Sequence, residues 1–255
     1  METSVRPPAW LWFNLLSLDA PVVALVWQDF LARCYPATLL LTGRAVLGLT
    51  VWAIYLADRL LDIRHPASAE ESIRHEFYRR HRAFARTLFA AVAGIDVIVT
   101  GLWLRPAVFA NGLALSAGVV VYLGAFPFTG WSATAWKKPI AALLFTAGVF
   151  LIAWTGSGSH SAELALPAVG FCALCLGNLL MTERWTLQAQ SRIAVWLLLG
   201  LAFLCLFVPA IWFVAILCSA LGLCALAQWG RGISRSTRCA LADAMLLTPL
   251  LFYLR

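Results

Sequence analysis

The most constraining feature of this sequence is a run of 37 residues, 193–229, that contains no Asp, Glu, Lys or Arg. As a single α-helix the run would be about 55 Å long, whereas the hydrocarbon core of a bilayer is about 30 Å thick. It is therefore long enough for nearly two membrane crossings. Pro209 lies near its middle, and because proline interrupts helical hydrogen bonding we expect the chain to turn there.

The composition extends this argument to the whole chain. Hydrophobic residues make up 62% of the sequence and charged residues 12%, against about 45–50% and about 25% in soluble domains. In lipid the backbone must satisfy its own hydrogen bonds, so only helices and closed barrels span a membrane. Residues 193–207 do not alternate between apolar and polar, as barrel strands do. We predict an all-α, polytopic membrane bundle that forms one domain over residues 1–255.

The apolar runs divide into nine predicted membrane spans. A helix needs about 20 apolar residues to cross a bilayer, and the apolar runs between the polar segments approach that length. The predicted spans are 10–31, 37–60, 84–104, 107–128, 139–155, 163–181, 193–208, 211–229 and 239–254.

Lys and Arg are distributed unevenly between the two sides of this arrangement. Fifteen of the 19 lie at the N-terminus or in and beside the even-numbered loops. Cytoplasmic loops carry such an excess, so we expect the N-terminus and the Asp-containing loops to be cytoplasmic, in a bacterial inner membrane. The net charge of +7 then follows from this bias. It predicts contact with membrane lipids and does not call for nucleic acid.

Polar residues recur at helical spacing near the end of the second predicted span. Tyr55, Asp58 and Asp62 are separated by three and four residues, which places them on one helix face. Arg44, 14 residues before Asp58, falls on that face after about four turns. Two carboxylates in this arrangement suit Mg²⁺, which takes carboxylate and phosphate oxygens. Alternatively, both aspartates simply end the helix and pair with nearby arginines such as Arg59.

The sequence DRLLD at 58–62 ends a second membrane helix and precedes a basic loop. It resembles the second half of the NDxxDxxxD motif of the UbiA superfamily of membrane prenyltransferases, and the nine spans and basic even-numbered loops resemble that family over nearly the whole chain. The resemblance implies a UbiA-like fold in which Asp58 and Asp62 are catalytic and hold a prenyl diphosphate through Mg²⁺. Lys137 and Lys138 are similar to a basic pair of the family, which implies that they bind the diphosphate.

The sequence departs from the family motifs at two places. Tyr55 stands where the first motif has its first aspartate, and GNLLMTERW at 177–185 replaces the second aspartate-rich motif. From the family pattern, Asn178 and Glu183 are expected to bind Mg²⁺ and substrate from the opposite loop, with one negative charge where the family has two or three. We count Tyr55 and Arg44 among the substrate-binding candidates.

The loop between the second and third spans contains a predicted helix. Ser68 and Glu71 form a capping box, which marks a helix start. In one interpretation the helix is a lid whose Arg79 and Arg82 bind diphosphate oxygens. In the other it is a basic helix that lies on anionic lipid headgroups.

Three acids, Asp19, Asp96 and Asp243, lie within predicted spans. Ionisable residues at membrane depth are costly and usually mark a paired or functional role. We expect each to hydrogen-bond to a neighbouring helix, with Arg44 as a partner for one of them. A proton or ion pathway is the other interpretation of the same residues.

These patterns leave three classes of function open. The first is a UbiA-like prenyltransferase that moves an isoprenyl group from a prenyl diphosphate to a lipophilic acceptor, or cyclises it, with Mg²⁺. The second is a non-catalytic protein of the same fold that acts in lipid binding or assembly, which the incomplete motifs favour. The third is a small-solute transporter, although no inverted repeat is visible.

Overall fold

The computed structural model describes residues 11–35, 37–63, 73–128, 136–157, 162–183, 196, 200, 208–229 and 232–253. Within these ranges the chain is helical and has no β-strand. The α-helices are α1 (Leu11–Leu15), α2 (Asp19–Cys34), α3 (Leu41–Asp62), α4 (Ile73–Arg80), α5 (Arg82–Trp103), α6 (Pro106–Phe128), α7 (Lys137–Ser157), α8 (Ala165–Glu183), α9 (Ala210–Trp229) and α10 (Arg235–Ala244). A 3₁₀ helix, Met245–Phe252, follows α10.

Five of these helices, α5 to α9, are long and apolar enough to cross a membrane. The prediction of a helical membrane protein is confirmed at this level. The α3 helix has 22 residues but carries four charged side chains, and α2 has only 16 residues. The predicted seventh span, 193–208, lies almost entirely outside the described residues, so the number of nine spans stays a prediction.

The outer surface of the bundle is apolar, as expected for a protein in lipid. On α5 and α6, Val97, Leu102, Leu113, Val120 and Val121 are each more than half exposed. Large apolar patches of this kind are rare on soluble monomers. These exposed apolar side chains therefore face the membrane rather than a protein core.

The first predicted span, 10–31, is wrong as a single helix. The structure breaks it between Leu15 and Asp19, where Ser17 has φ 55°, a backbone conformation that non-glycine residues rarely adopt. Pro21 lies in the first turn of α2, where its missing N–H costs no helical hydrogen bond. The break brings Asn14 and Asp19 together, with Asn14 Nδ2 2.6 Å from Asp19 Oδ2.

The last predicted span, 239–254, also differs from the structure. Its helix begins earlier, at Arg235, and changes from α to 3₁₀ geometry at Met245. Pro249 lies inside the 3₁₀ helix and has no N–H to donate to the Leu246 carbonyl three residues earlier. The indole Nε1 of Trp27 donates to this carbonyl instead, at 2.7 Å.

The main core lies between α2, α7, α8 and α9 and is rich in aromatic rings. Trp27 is fully buried, and its ring centroid lies 4.8 Å from that of Phe171 and 5.2 Å from that of Trp212. Phe150 from α7 completes the cluster, 5.8 Å from Trp212. This packed core fixes the helices whose ends carry the polar residues described next.

Candidate functional site

The two aspartates at the end of α3 lie beside the first residue of α7. Lys137 Nζ is 4.0 Å from Asp58 Oδ1 and 3.8 Å from Asp62 Oδ1. One helical turn separates the aspartates, so a single ammonium group contacts both. This confirms that Asp58 and Asp62 share a face and that Lys137 lies with them. Lys138 follows on α7, half-buried.

Arg59 also belongs to this group, because its Nη1 lies 3.4 Å from Asp62 Oδ2. Its positive charge and that of Lys137 balance the two carboxylates. The expectation that the aspartates pair with Arg59 therefore holds for Asp62, beside the lysine contact. All of these side chains are between 20% and 29% exposed, so water and ions reach them.

Two carboxylates, of Asp58 and Asp62, are a small donor set for Mg²⁺. Within the described ranges, no group of three or more His, Cys, Asp and Glu side chains is placed to hold a metal ion. Protein Mg²⁺ sites often use only one or two carboxylates, with waters and substrate phosphates as the other ligands. Asp58 and Asp62 fit a Mg²⁺ site of this kind, in which two carboxylates bind the metal together with a phosphate. The side chain of Glu183 lies outside the described residues.

We predict that replacement of Lys137 by Met creates a cation site at Asp58 and Asp62. Without the ammonium group the two carboxylates repel each other, and the melting temperature should fall. Millimolar Mg²⁺ should restore it in Lys137→Met and have little effect on the wild type. Thermal melting in detergent measures this, and the double variant Asp58→Asn/Lys137→Met should not respond to Mg²⁺. An equal Mg²⁺ response in both variants would contradict a cation site at these aspartates.

The structure does not bring Arg44 to this site. Arg44 lies in the first turn of α3, at the opposite end from Asp58, and it forms an ion pair with Asp29 of α2. Fourteen residues of helix span about 21 Å. Arg44 thus lies on the same helix face as the aspartates but far from them along the helix axis. We expected it to pair with Asp19, Asp96 or Asp243, and it pairs with Asp29 instead.

The loop helix α4 contacts the bundle through residues other than those predicted. Tyr78 is buried, and its hydroxyl lies 3.1 Å from Ser17 Oγ; burial raises the pKa of Tyr78. Arg74 lies 3.6 Å from Asp19. Arg79 pairs with Glu76 of its own helix, and Arg82 is exposed. The predicted start of this helix, at residues 68–71, lies outside the described residues.

The three acids within predicted spans each hydrogen-bond to a neighbouring element, as expected. Thr50 donates to Asp96 at 2.7 Å, and Asn14 donates to Asp19 at 2.6 Å. Asn178 Nδ2 donates to Asp243 Oδ1 at 3.0 Å. Asn178, a predicted Mg²⁺ ligand, is thus engaged with Asp243.

A cavity of about 290 Å³ lies beside Asp58 and Asp62, hereafter the carboxylate pair, at the same end of the bundle. Its polar lining comes from α1, α2, α3, α4, α8 and α10. The polar and charged residues are Asn14, Asp19, Tyr55, Arg59, Arg74, Asn178, Thr182, Ser236 and Asp243. Tyr55 and Asn178, both predicted substrate-binding residues, therefore line one cavity, and Arg59 belongs both to the cavity and to the carboxylate pair.

Arg59 and Arg74 were not among the predicted substrate-binding residues. The signal for Arg74 was its position four residues before Tyr78 on α4, which places an aromatic and a cationic residue on one face. Asp19 and Asp243 could be recognised as candidates because an acid at membrane depth is costly. That argument did not indicate that both acids line one cavity.

No family model, curated protein or solved structure matches this chain. The resemblance to the UbiA superfamily therefore stays a prediction from the residues quoted above.

Proposed function

We propose that this chain is a UbiA-like membrane prenyltransferase. It transfers an isoprenyl group from a prenyl diphosphate to a lipophilic acceptor, or cyclises that group, with Mg²⁺ at Asp58 and Asp62. The observation that carries the proposal is the adjacency of the carboxylate pair, Asp58 and Asp62, and a cavity between helices, linked by Arg59. We place the protein in a bacterial inner membrane with this end in the cytoplasm, as the charge bias predicts.

The charges at the carboxylate pair favour a metal and a diphosphate that bind together. Asp58 and Asp62 are balanced by Lys137 and Arg59, so Mg²⁺ alone would leave an excess of positive charge. A diphosphate beside Mg²⁺ removes that excess. Asp58 and Asp62 would hold the metal, and Mg²⁺ bound there would supply positive charge to stabilise the departing diphosphate.

The side chains of the protein have separate roles in this proposal. Asp58 and Asp62 hold the metal, and Lys137 moves from the carboxylates toward the diphosphate, with Lys138 beside it. Arg59 lies between the diphosphate and the cavity. The apolar helix surfaces accommodate the isoprenoid tail.

A specific observation favours a second candidate, a non-catalytic protein that binds lipid or acts in assembly. Lys137 already contacts both carboxylates. A purely structural link between α3 and α7 would show the same contact. The exposed cations on α4, Arg79 and Arg80, suit anionic lipid headgroups. In this case the carboxylate pair stabilises the bundle and binds no metal.

A thermal-shift titration with geranylgeranyl diphosphate distinguishes the two candidates. We expect the diphosphate with Mg²⁺ to raise the melting temperature, since a ligand at 100 times its Kd stabilises by about 2.7 kcal/mol. Either component alone, the diphosphate with EDTA or Mg²⁺ without diphosphate, should have a much smaller effect. Asp58→Asn and Asp62→Asn should remove the Mg²⁺ dependence and keep the fold, and Glu183→Gln should weaken binding less.

The matched control is Asp29→Asn, which changes an aspartate at the opposite end of the bundle. It should leave the response to the diphosphate and Mg²⁺ intact. If EDTA makes no difference to the wild type, the carboxylate pair is structural and the second candidate replaces the first.

A further inference from the structure

A second cluster of charged residues lies at the end of the bundle opposite to the carboxylate pair. It consists of Asp29 and Arg33 on α2, Arg44 in the first turn of α3, and Tyr253 after the 3₁₀ helix. Asp29 is 18% exposed and forms ion pairs with both arginines. Arg33 Nε donates to one of its carboxylate oxygens at 3.1 Å, and Arg44 Nη2 donates to the other. One carboxylate therefore holds two guanidinium groups close together.

Tyr253 fixes the position of Arg33 in this cluster. The guanidinium carbon of Arg33 lies 4.1 Å from the centre of the Tyr253 ring, which is a cation–π contact. The Tyr253 hydroxyl donates to the Val26 carbonyl at 3.3 Å and so ties the ring to α2. Tyr is enriched where the hydrocarbon core of a membrane meets the headgroups. The surroundings of Arg33 are thus typical of the membrane–water interface.

The two guanidinium groups have hydrogen-bonding capacity left over. Each carries five N–H donors, and each donates one of them to Asp29. Within the described ranges, neither group donates to a second acceptor. Both side chains are open to their surroundings, Arg33 with 61% and Arg44 with 47% exposure. A ligand with several acceptor oxygens can therefore reach both groups.

The charges at this end of the bundle favour an anion. Arg33 and Arg44 carry two positive charges against the one negative charge of Asp29. Arg105 donates to the Thr38 carbonyl, between α2 and α3, at 3.2 Å, and adds positive charge nearby. The guanidinium group matches the geometry of phosphate oxygens and binds them in a bidentate manner. The ligand that complements the two arginines is therefore a phosphate group with one net negative charge.

Exposed leucines beside the cluster favour a phosphate that comes from a lipid. Leu41 is 79% exposed and lies one turn before Arg44, on the same face of α3. Leu250 is 44% exposed and lies one 3₁₀ turn before Tyr253. The arginines thus lie among apolar side chains that face the membrane. A phospholipid places its phosphate at this boundary and its acyl chains against the leucines, whereas a soluble phosphate would contact only the arginines.

We propose that Arg33 and Arg44 bind the phosphate of an anionic phospholipid, with Asp29 holding the two guanidinium groups in place. The lipid carries one net negative charge, as phosphatidylglycerol does. A zwitterionic lipid binds more weakly, because its own ammonium group compensates the phosphate charge. The site is separate from the carboxylate pair and requires neither Mg²⁺ nor a diphosphate.

The test compares two phospholipids that differ only in their headgroups. Dioctanoyl phosphatidylglycerol and dioctanoyl phosphatidylcholine are titrated separately into the protein in a neutral detergent, and thermal melting reports binding. We expect phosphatidylglycerol to raise the melting temperature saturably. Phosphatidylcholine should bind at least about tenfold more weakly, a factor that corresponds to about 1.4 kcal/mol. Inorganic phosphate at the same concentrations should have no effect, because it has no acyl chains.

Variants of the cluster identify the binding residues. Arg44→Gln should weaken the binding of phosphatidylglycerol at least about tenfold. The double variant Asp29→Asn/Arg44→Gln should bind as weakly, although it keeps the net charge of the cluster, because it lacks one of the two guanidinium groups. Arg86→Gln is the matched control, since Arg86 is exposed near the start of α5, at the other end of the bundle. This variant should bind phosphatidylglycerol as the wild type does.

A wild-type measurement covers the case in which the cluster variants do not fold. A phosphatidylglycerol with a diazirine beside its headgroup is photolysed with the protein in phosphatidylcholine nanodiscs, and the crosslinked peptides are identified by mass spectrometry. We expect crosslinks to peptides that contain residues 33–44 or 250–253. Unlabelled phosphatidylglycerol should remove these crosslinks, and inorganic phosphate should not.

Several results would overturn the inference. Equal binding of the two lipids, or equal binding by the wild type and Arg44→Gln, would show that the arginines do not select an anionic lipid. An equal loss of binding in Arg86→Gln and Arg44→Gln would mean that phosphatidylglycerol responds only to the overall charge. Crosslinks confined to α4 would place the lipid at the other end of the bundle. Stabilisation by inorganic phosphate equal to that by phosphatidylglycerol would assign the site to a soluble anion.

Discussion

Replacement of Trp27 by Ala should lower the stability of the protein by roughly 3–5 kcal/mol, the usual cost of removing a buried aromatic side chain. Trp27 is fully buried and contacts the rings of Phe30, Phe171 and Trp212. Its indole also supplies the donor that Pro249 cannot give to the Leu246 carbonyl. The variant thus loses packing and leaves a buried carbonyl without a partner.

The measurement is thermal melting in detergent, where a loss of this size corresponds to a shift on the order of 10 °C. Trp27→Phe separates the two contributions, because it keeps a ring and removes the N–H. Trp103→Ala is the control, since Trp103 is 58% exposed at the end of α5. Equal melting temperatures for Trp27→Ala and Trp103→Ala would show that the aromatic cluster does not stabilise the bundle.

Much of the fold could be predicted because lipid makes hydrophobicity a direct guide to helices. The starts and ends of α5 to α8 lie within a few residues of the predicted spans. The predictions failed where one apolar run holds two elements, at Ser17 and at Met245. Hydropathy does not report a change of backbone geometry, and the polar partners that stabilise these breaks, Tyr78 and Trp27, are distant in sequence.

Helix spacing predicts the candidate site only along single helices, and the placement of Lys137 beside the aspartates was predicted from the family resemblance instead. The 3–4 spacing that joins Tyr55, Asp58 and Asp62 depends on local helix geometry alone. Which cation meets the carboxylates depends on which helix end lies beside them, and here it is Lys137 of α7. Arg44 shows the limit of helix spacing as a guide, since it shares the face of α3 with Asp58 but pairs with Asp29 at the other end. Helix spacing predicts toward which side of the helix a residue lies, but not which residues of neighbouring helices lie beside it.

Replacement of Arg74 by Leu should release α4 from the bundle and open the cavity. Arg74 is 18% exposed and lies 3.6 Å from Asp19, which is 10% exposed, and its Nε donates to Asn14 Oδ1 at 3.0 Å. Removal of one partner from a buried ion pair leaves a charge without compensation and costs about 3–5 kcal/mol. We expect a lower melting temperature, faster trypsin cleavage between Arg79 and Arg80, and faster alkylation of Cys239, which lines the cavity.

A second substitution shows whether this loss comes from the ion pair. Asp19→Asn keeps the shape of the side chain and removes its charge, so the double variant Arg74→Leu/Asp19→Asn should regain part of the stability lost in Arg74→Leu. Glu76→Gln is the control on the same helix; its partner Arg79 is 52% exposed, and exposed pairs contribute about 0–1 kcal/mol. A double variant no more stable than Arg74→Leu would mean that Arg74 stabilises α4 by packing, and that the charge of Asp19 is balanced by other groups in the cavity.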